Sequence, residues 1–383
     1  MKQLRYGMVG GGPDSFIGTV HREVIGFEHA VLAAGCFSRS PEKNALWGAR
    51  YGLAAERIYP NFAEMAAAEG RRPDKLDFVS IVTPNNLHYE AAKAFLAAGI
   101  PVFCEKPLCF SSAQGAELAA LAREKDLLFG VGYGYSGYAM VKEARHLVRR
   151  GEIGRVINVN AEYLQEWLVD DVAPGADAME KLSMWRKDPR YAGASNCVGD
   201  IGSHIEHTVS YITGQSLSAV AAVLDHFGQP LDLNANILIQ LENGAHGVYC
   251  ASQVCVGHMN GLVVRIFGSL GAIEWQQERP DVLCLTKKGE PTQLLNRGMG
   301  YVSPYTAQVS RLPSGHPEGL HIGMANLYRS FIATLRNKYH GEALTGFEND
   351  FPTVLDGLQG LRFIEAALES SRHQAAWTPL SMP

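Results

Sequence analysis

The stretch VGGGPDSFIGTVHR, residues 9–22, decides the fold of the N-terminal part of the chain. It follows the apolar run LRYGMV and leads from a glycine cluster into a helix-like pattern. A dinucleotide-binding unit begins in this way, with the glycine spacing G-x-G-x-x-G. Gly10 and Gly12 fit the first two positions, but the next glycine, Gly18, comes three residues too late. The stretch therefore predicts either a nucleotide loop with an insertion or a glycine-rich structural turn.

Strand-like and helix-like segments alternate through the first ~130 residues. The strand-like segments are residues 4–10, 30–38, 77–83, 101–106 and 127–133. They are short, apolar and hardly alternate, which is typical of a parallel sheet covered on both faces. We therefore expect a doubly wound α/β domain in residues 1–133. The loops after its strands should share one edge, where ligands bind.

The pattern changes near residue 150. RVINVNAEYL (155–164) alternates with period two, and several later strand-like segments are joined by short turns. A largely antiparallel sheet is expected from this pattern. Helix-like segments at 203–214, about 320–340 and about 350–373 make residues 134–383 an α+β domain. The segment 168–198 fits neither pattern, and a connection of this length is often a lid or a binding loop.

Length and composition limit the class of protein. A chain of 383 residues is too long for one ordinary core, so two domains are expected. The net charge is −5 and no basic block occurs, which argues against nucleic acid and anionic membranes as partners. No apolar run approaches the ~18 residues that span a bilayer, and no export signal is evident. Seven cysteines without a C-x-x-C pair suggest reduced thiols in a cytoplasmic protein.

Polar residues near the ends of the predicted strands are candidates for cofactor contact. An acid after the second strand would bind a ribose 2′-hydroxyl and favour NAD. Here Ser38, Arg39 and Lys43 occur instead, and they could bind the 2′-phosphate of NADP. The alternative is an exposed arginine followed by a serine helix cap. After the third strand, the candidates for contact with the nicotinamide end are Thr83, Asn85 and His88, although His88 could simply pack or cap a helix.

Two further motifs carry candidate catalytic groups. Glu105 and Lys106 end a buried strand, where a lysine is costly unless it is paired or functional. Near a cationic nicotinamide its proton affinity would fall, and it could bind a substrate hydroxyl or transfer a proton. Asp200 and His204 are four residues apart, so they share a face of a helix, where the acid could orient the histidine. With no cysteine at zinc spacing, we expect no metal.

These motifs together resemble the Gfo/Idh/MocA family of sugar and polyol oxidoreductases. The resemblance is carried by the glycine loop with Gly18-x-x-His21, by TPN at 83–85, by EKP at 105–107 and by GDIGSH at 199–204. It implies an N-terminal Rossmann domain, a C-terminal domain with a large open sheet, and hydride transfer to NAD or NADP. It also implies homodimers or homotetramers that form through that sheet.

The resemblance assigns roles to residues of this chain. The family's catalytic lysine, aspartate and histidine map onto Lys106, Asp200 and His204, and a cis peptide bond is expected before Pro107. The loop then has about three extra residues near Pro13–Ser15. This insertion places three residues beside the cofactor: Ser15, Phe16 and Ile17. Asp14, by contrast, should face solvent or cap the helix.

GGGPDSFIG, WRKDP and GHPEG look most like the branch with scyllo-inositol, L-glucose and levoglucosan dehydrogenases. This branch uses mainly NAD, which favours NAD over NADP. The expected substrate contacts, besides the catalytic residues, are Tyr133, Tyr135, Trp185, Arg186, His316 and Glu318. Trp185 as a core anchor and His316 as a turn residue are the alternatives.

The first functional hypothesis is an NAD(P)-dependent dehydrogenase that oxidises a secondary hydroxyl of a cyclic polyol or sugar, such as an inositol, a hexose or an anhydrosugar, to a ketone. A second is a glycoside-cleaving enzyme in which tightly held NAD oxidises the substrate transiently. The third is a non-catalytic regulator that senses NAD(P) or a sugar. The complete set of Lys106, Asp200 and His204 favours the first hypothesis over the third.

Overall fold

The structure is a computed structural model that describes residues 2–172 and 184–380. The chain divides into two compact units, residues 1–134 with 324–358 and residues 135–323 with 359–383. The domain boundary drawn from the sequence at 133/134 stays a prediction. It differs from the compact units in leaving residues 324–358 with the C-terminal domain.

An aromatic cluster explains why residues 324–358 join the first unit. The ring of Tyr328 stacks on Phe103 with centroids 4.2 Å apart, and Phe331 meets Phe103 and Phe78 edge to face at 5.5 and 5.4 Å. These side chains are almost fully buried. Burying such rings is worth several kcal/mol, so this helical segment is part of the core of the first unit.

The described part of the first unit contains a five-stranded parallel sheet in the order β2-β1-β3-β4-β5. Its strands are β1 (Leu4–Gly10), β2 (Ala30–Cys36), β3 (Phe78–Val82), β4 (Val102–Cys104) and β5 (Phe129–Val131). Its helices are α1 (Phe16–Gly26), α2 (Pro41–Arg50), α3 (Phe62–Glu69), α4 (His88–Ala97) and α5 (Ser112–Glu124). All five residues of β3 are buried, as expected for a strand covered on both faces. The expected doubly wound domain is confirmed, and its strand order reverses between β1 and β3, the point where such sheets bind ligands.

Side chains that cap the helix starts fix the loops at this ligand edge. Ser15 accepts a hydrogen bond from Gly18 N at the start of α1. Ser40 accepts one from Lys43 N at the start of α2, where Pro41 occupies the first helical position. Each cap satisfies a backbone donor that the helix leaves free.

The described part of the second unit contains a nine-stranded sheet in the order β13-β12-β11-β10-β6-β9-β8-β7-β14. The strands are β6 (Val156–Leu164), β7 (Leu217–Asp225), β8 (Asn234–Leu241), β9 (His246–Ser252), β10 (Gly261–Gly268), β11 (Gly271–Gln276), β12 (Val282–Lys287), β13 (Gln293–Asn296) and β14 (Thr378–Pro379). Among the described strands, β6 and β9 pair in parallel and the other neighbours are antiparallel. The expectation of a large, mostly antiparallel sheet is confirmed.

Seven further helices complete the described chain. They are α6 (Ala139–Arg149), α7 (Met184–Lys187), α8 (Pro189–Ala192), α9 (Ser203–Thr213), α10 (Pro304–Val309), α11 (Leu320–His340) and α12 (Val354–Arg372). A π-helical turn, Val198–Gly202, leads directly into α9. The part of the segment 168–198 that falls at residues 173–183 lies outside the described residues.

Across residues 2–172 and 184–380, no helix is long and apolar enough to cross a bilayer. The seven cysteines are free thiols in the described chain. Four of them are buried and three are half-buried.

Candidate active site

The glycine loop and the first turn of α1 make one tightly packed unit. Gly10 and Gly11 have φ angles of +80° and +69°, which favour glycine. A Cβ at Gly18 would lie 2.3 Å from the Cα of Gly11, so the helix touches the loop backbone there. Gly18 thus has the packing role of the third glycine of the fingerprint, despite its delayed position.

Side chains around this loop divide into anchors and exposed groups. The guanidinium of Arg22 donates to the main-chain oxygen of Gly11 and, at 2.8 Å, to Thr19 Oγ1. A Cβ at Gly12 would lie 2.3 Å from the indole ring of Trp47. Phe16 is 70% exposed at the start of α1, so its ring is accessible for contact with a ligand.

The remaining loop residues differ in burial, and the predicted cofactor contacts of Ser15 and Ile17 stay predictions. Ser15 caps α1 and is half-buried, as is Ile17. Asp14 is exposed, which agrees with the expectation that its side chain faces solvent.

Two exposed basic side chains, Arg39 and Lys43, follow the end of β2. Ser38 Oγ accepts a hydrogen bond from Ser40 N at 3.1 Å, which helps to shape the turn into α2. Arg39 and Lys43 are exposed, and among the described residues neither side chain forms an ion pair. No acidic residue occupies the positions just after this strand, Phe37–Ser40.

The carboxyl end of β3 presents polar atoms without partners. Thr83 Oγ1 and Asn86 Oδ1 are buried, and within the described chain neither has a hydrogen-bond partner. Asn85 is half-buried beside them. An unmet buried polar atom is unfavourable in the free protein and indicates a place where a polar ligand can bind.

His88 holds two loops together. Its Nδ1 lies 2.8 Å from the main-chain oxygen of Pro107, and its Nε2 lies 2.9 Å from that of Thr83. The side chain is fully buried, and this burial lowers the pKa of His88. Since both ring nitrogens contact backbone oxygens, we assign His88 to holding the loops, which replaces the predicted cofactor contact.

A second buried histidine supports the residue on the other side of Lys106. His21 Nε2 lies 2.8 Å from Glu105 Oε1, and its Nδ1 lies 2.6 Å from the hydroxyl of Tyr328. Burial raises the pKa of Glu105, but the His21 hydrogen bond and the charges of His21 and Lys106 outweigh burial, and the net pKa is lowered. Ser80 completes the cluster, 3.0 Å from the Tyr328 hydroxyl.

Lys106 itself is half-buried and is joined to Pro107 by a cis peptide bond, as the resemblance implied. Its main-chain N–H donates to the Glu105 carboxylate at 3.1 Å. The two neighbouring residues are therefore fixed by buried histidines, and Lys106 lies between them. This arrangement limits the conformations from which the ammonium group can act.

In the second unit, Asp200 lies on the π-helical turn and His204 on the first turn of α9. The acid therefore precedes the α-helix on a wider turn than a regular helical face would give. Gln253 Nε2 donates to Asp200 Oδ2 at 3.2 Å, and Arg186 Nε lies 3.7 Å from the same oxygen. The guanidinium of Arg186 also lies over the Trp185 ring at 4.4 Å.

His204 packs against a group of polar aromatic side chains. Its ring is edge-on to Tyr135, with centroids 4.8 Å apart, and lies 6.2 Å from the ring of Tyr163. The hydroxyls of Tyr135 and Tyr163 are 2.5 Å apart, and that of Tyr163 donates to Asn260 Oδ1. Burial raises the pKa of both tyrosines, so they stay protonated near neutral pH. Tyr133 lies in the first unit and is also buried.

The GHPEG segment places its two candidates differently. The side chain of His316 is exposed. Glu318 is buried and bound by Arg297 at 3.2 Å and by the main-chain N–H groups of Arg311 and Leu312. We therefore assign Glu318 to anchoring this segment rather than to substrate contact.

Comparison with known proteins decides the family. Residues 4–133 match the oxidoreductase family with an NAD-binding Rossmann fold, and residues 141–274 match the GFO/IDH/MocA C-terminal domain. An uncharacterized oxidoreductase, YfiI of Bacillus subtilis, is 36% identical over 98% of this chain and 96% of its own. The chain belongs to the Gfo/Idh/MocA family.

Members of this family with named substrates are also similar to the chain. The levoglucosan dehydrogenase of Pseudarthrobacter phenanthrenivorans is 29% identical over 74% of this chain and 76% of its own. An inositol dehydrogenase homologue from Azotobacter vinelandii, solved with NAD+, has 33% identity and a TM-score of 0.92 over 99% and 97% of the two chains. Its complex with NADH and myo-inositol matches at 30% identity and a TM-score of 0.89 over 99% and 98%. This Gfo/Idh/MocA protein is thus an NAD-binding oxidoreductase near the inositol and levoglucosan dehydrogenases.

The residues of the first unit fit NAD. Gly10 and Gly12 have no side chain, so a pyrophosphate can approach the backbone closely there. The N–H groups at the start of α1 can donate hydrogen bonds to its oxygens. The unmet polar atoms of Thr83 and Asn86 suit ribose hydroxyls or a carboxamide. Over residues 2–172 and 184–380, no group of three or more His, Cys, Asp or Glu side chains is arranged to hold a metal ion.

Sequence reasoning missed the residues that support the site. Among them are Tyr163, Asn196, Asp232, Gln253 and Asn260. The strand pattern marks Tyr163 as inward-facing, but nothing in the sequence pairs it with Tyr135. The other four lie on turns and strand ends, where isolated polar residues are common and carry no recognisable spacing.

Proposed function

We propose that this protein is an NAD-dependent dehydrogenase that oxidises a secondary hydroxyl of a cyclic polyol or sugar to a ketone. The Azotobacter homologue was solved with myo-inositol, and a curated relative is a levoglucosan dehydrogenase. Both compounds are rings with several hydroxyls. The chain offers polar side chains of the kind that bind such rings: Tyr135, Trp185, Arg186 and His316, with Tyr133 from the first unit.

Lys106, Asp200 and His204 are the proposed catalytic residues. In the reaction a C–H bond of the substrate breaks and its electron pair leaves as hydride, while the hydroxyl proton passes to a base. NAD supplies the hydride acceptor when it is bound. We assign the proton to His204 or Lys106, and Asp200 orients the site and balances its charge.

The observation that carries the proposal is the organisation around Asp200 and His204. The carboxylate of Asp200 receives a hydrogen bond from a buried amide, and the His204 ring packs on a tyrosine whose hydroxyl is itself hydrogen-bonded. Such preorganised acid–base groups suit proton transfer. A protein that only sensed a sugar would have no need of them.

Cofactor contacts are proposed for the loop residues Gly10, Gly12, Ser15, Phe16 and Ile17. At the nicotinamide end we propose Thr83, Asn85, Glu105 and Lys106, and at the adenosine end Ser38, Arg39 and Lys43. Arg39 and Lys43 are exposed beside Ser38 and could bind the 2′-phosphate of NADP, so we propose that NADP is also accepted to some extent. We retain the cytoplasm as the proposed location.

Homodimers or homotetramers are proposed through the large sheet. Several apolar side chains are exposed on its strands, among them Ile157, Val223, Leu238, Val248 and Phe267. Leu238 and Val248 are direct cross-strand partners on β8 and β9. A broad exposed apolar surface is a common mark of a protein interface.

The test is a panel of inositols, hexoses and anhydrosugars assayed with NAD and NADP side by side. We expect an increase in NADH absorbance with at least one of them. Lys106→Ala should abolish turnover and leave NADH binding, measured by fluorescence, largely intact. Lys93→Ala removes an equal charge from the surface of α4 and serves as the control. Unchanged turnover in Lys106→Ala, or no redox change with any compound, contradicts the proposal.

A further inference from the structure

The turn that carries Asp200 is held by a buried carboxylate. The side chain of Asp232 is fully buried and accepts three hydrogen bonds, at 2.8–3.1 Å, from Ser195 Oγ, Asn196 N and Val198 N. Its main-chain oxygen accepts a fourth, from Cys197 N at 3.0 Å. A carboxylate is tolerated in such a place only where donors meet its oxygens. Asp232 therefore fixes four consecutive residues that lead into the turn.

The buried amide of Gln253 connects Asn196, in the segment held by Asp232, to the carboxylate of Asp200. Asn196 Nδ2 donates to Gln253 Oε1 at 2.9 Å, and Gln253 Nε2 donates to Asp200 Oδ2 at 3.2 Å. The main chain of Gln253 is fixed as well, because its N–H donates to Leu233 O at 2.9 Å, next to Asp232. A carboxylate only accepts hydrogen bonds, so the amide must turn its NH2 group toward Asp200 and its oxygen toward Asn196.

Of Gln253 and Arg186, the neutral amide of Gln253 lies closer to this oxygen. Arg186 Nε stands 3.7 Å away, and its side chain is 36% exposed. The side chain of Gln253 is fully buried, and the residue directly follows β9. An amide carries no net charge, so Gln253 orients the carboxylate without forming an ion pair with it.

We propose that Asp232 and Gln253 are positioning residues for Asp200. Asp232 sets the path of the turn, and Gln253 sets the rotation of the carboxylate. Both act through Asp200, and the inference rests on the proposed function in which Asp200 takes part in the reaction.

Gln253→Glu tests the orientation with almost no change of shape. It places a second carboxylate against Asp200, and like charges raise the pKa of a carboxyl group. If ionised Asp200 is needed, the acidic limb of the kcat/KM profile moves up by about one pH unit or more. Among the described residues of this unit, Arg186, Tyr135, Tyr163 and Cys197 also interact electrostatically with Asp200, and the variant leaves them in place.

Three further variants and one control extend the test. Asn196→Asp replaces the donor to Gln253 by an acceptor, which turns the amide round and presents its oxygen to Asp200, so the same pH shift is expected. Gln253→Leu removes the hydrogen bond and should lower kcat about ten- to a hundred-fold. Ser195→Ala removes one donor to Asp232 and also the hydroxyl that accepts from Gly199 N at 3.0 Å, while the Asp232 carboxylate stays, and a smaller fall in kcat is expected. Gln293→Glu, on exposed β13, makes the same chemical change as Gln253→Glu away from the site and should change nothing.

Asp200→Asn separates the two proposals. If Asp200→Asn keeps wild-type turnover, the proposed role of Asp200 fails and the inference falls with it. If Asp200→Asn is inactive while both Gln253 variants keep the wild-type kcat and pH profile, only the inference is overturned. An unchanged kcat in Ser195→Ala overturns the part assigned to Asp232. NADH binding should equal that of the wild type in every variant, and a loss in the Gln253 variants would show a general disturbance and contradict a positioning role.

Discussion

Substituting Gly18 by alanine should disable the cofactor loop. The added Cβ would lie 2.3 Å from the Cα of Gly11, whereas carbon atoms in contact stay about 3.5–4.0 Å apart. The loop or the helix must therefore move by about 1.2 Å or more. The atom that is met belongs to the backbone, so no side-chain rotation can relieve the clash.

This displacement should lower the stability of the protein and weaken its binding of NADH. Overpacking of this kind costs about 1–3 kcal/mol. A loop displaced by more than 1 Å no longer presents its N–H groups to the pyrophosphate at hydrogen-bonding distance, and each 1.4 kcal/mol of lost binding is about tenfold in Kd. We expect the Kd for NADH to rise about tenfold or more in Gly18→Ala and the thermal midpoint to fall.

Gly26→Ala is the matched control, because Gly26 ends the same helix and a Cβ there would meet nothing within 4 Å. Its affinity for NADH should equal that of the wild type, and its stability should be unchanged or slightly higher. Fluorescence titration with NADH and a thermal scan measure both quantities. Wild-type affinity and stability in Gly18→Ala would refute the assignment of Gly18 as the third glycine of the loop.

Two further predictions concern the residues on either side of Lys106. The lowered pKa of Glu105 means that its ionised form stabilises the fold above about pH 4.5, the ordinary value, and that this stabilisation is lost as the pH falls through the lowered value. Glu105→Gln replaces the buried carboxylate beside His21 by a neutral amide, which weakens this hydrogen bond. The free energy of unfolding at pH 7 should fall by about 1–3 kcal/mol, with a smaller difference in acid, and equal unfolding curves at pH 7 would contradict this. Neutral His88 has one ring N–H to donate, so His88→Leu removes one hydrogen bond to the carbonyl of Thr83 or Pro107, at about 1–3 kcal/mol, and should weaken NADH binding and stability together. His88→Gln, which can still donate to one carbonyl, should recover part of the loss, and no difference between the two variants in chemical denaturation would count against the role of this side chain.

The N-terminal fold was accessible from the sequence because local signals and tertiary structure agree there. Apolar runs without alternation indicated buried parallel strands, and the serine before Pro41 offered a helix cap as one interpretation of the turn after the second strand. Gly18 was harder to place, because a spacing rule assumes a loop of fixed length. Its role became clear once its contact with Gly11 was known, and sequence spacing alone does not contain that contact.

The site was accessible only in part. Lys106 stood out because a lysine at the end of a buried strand is costly, and Asp200 and His204 because a spacing of four places them on one face of a helix. Their catalytic roles came from the family resemblance. Asp232 and Gln253 did not, because their importance comes from partners more than thirty residues away in the chain. His88 could be read as a ligand contact or as a packing residue, and Glu318 as a substrate contact, because polar residues in a motif suggest function. In the structure both side chains contact backbone groups.

The aromatic packing of Tyr328 and Phe331 has a consequence for the order of events during translation. The first unit lacks part of its core until residues 324–358 have left the ribosome, and residues 135–323 are made in between. At about 5–20 residues per second, this delay lasts on the order of ten to forty seconds. Throughout that time Phe78 and Phe103 of the nascent Rossmann segment lack the helix that covers them. Because exposed apolar surface of this kind is what chaperones bind, we expect a chaperone to bind this segment.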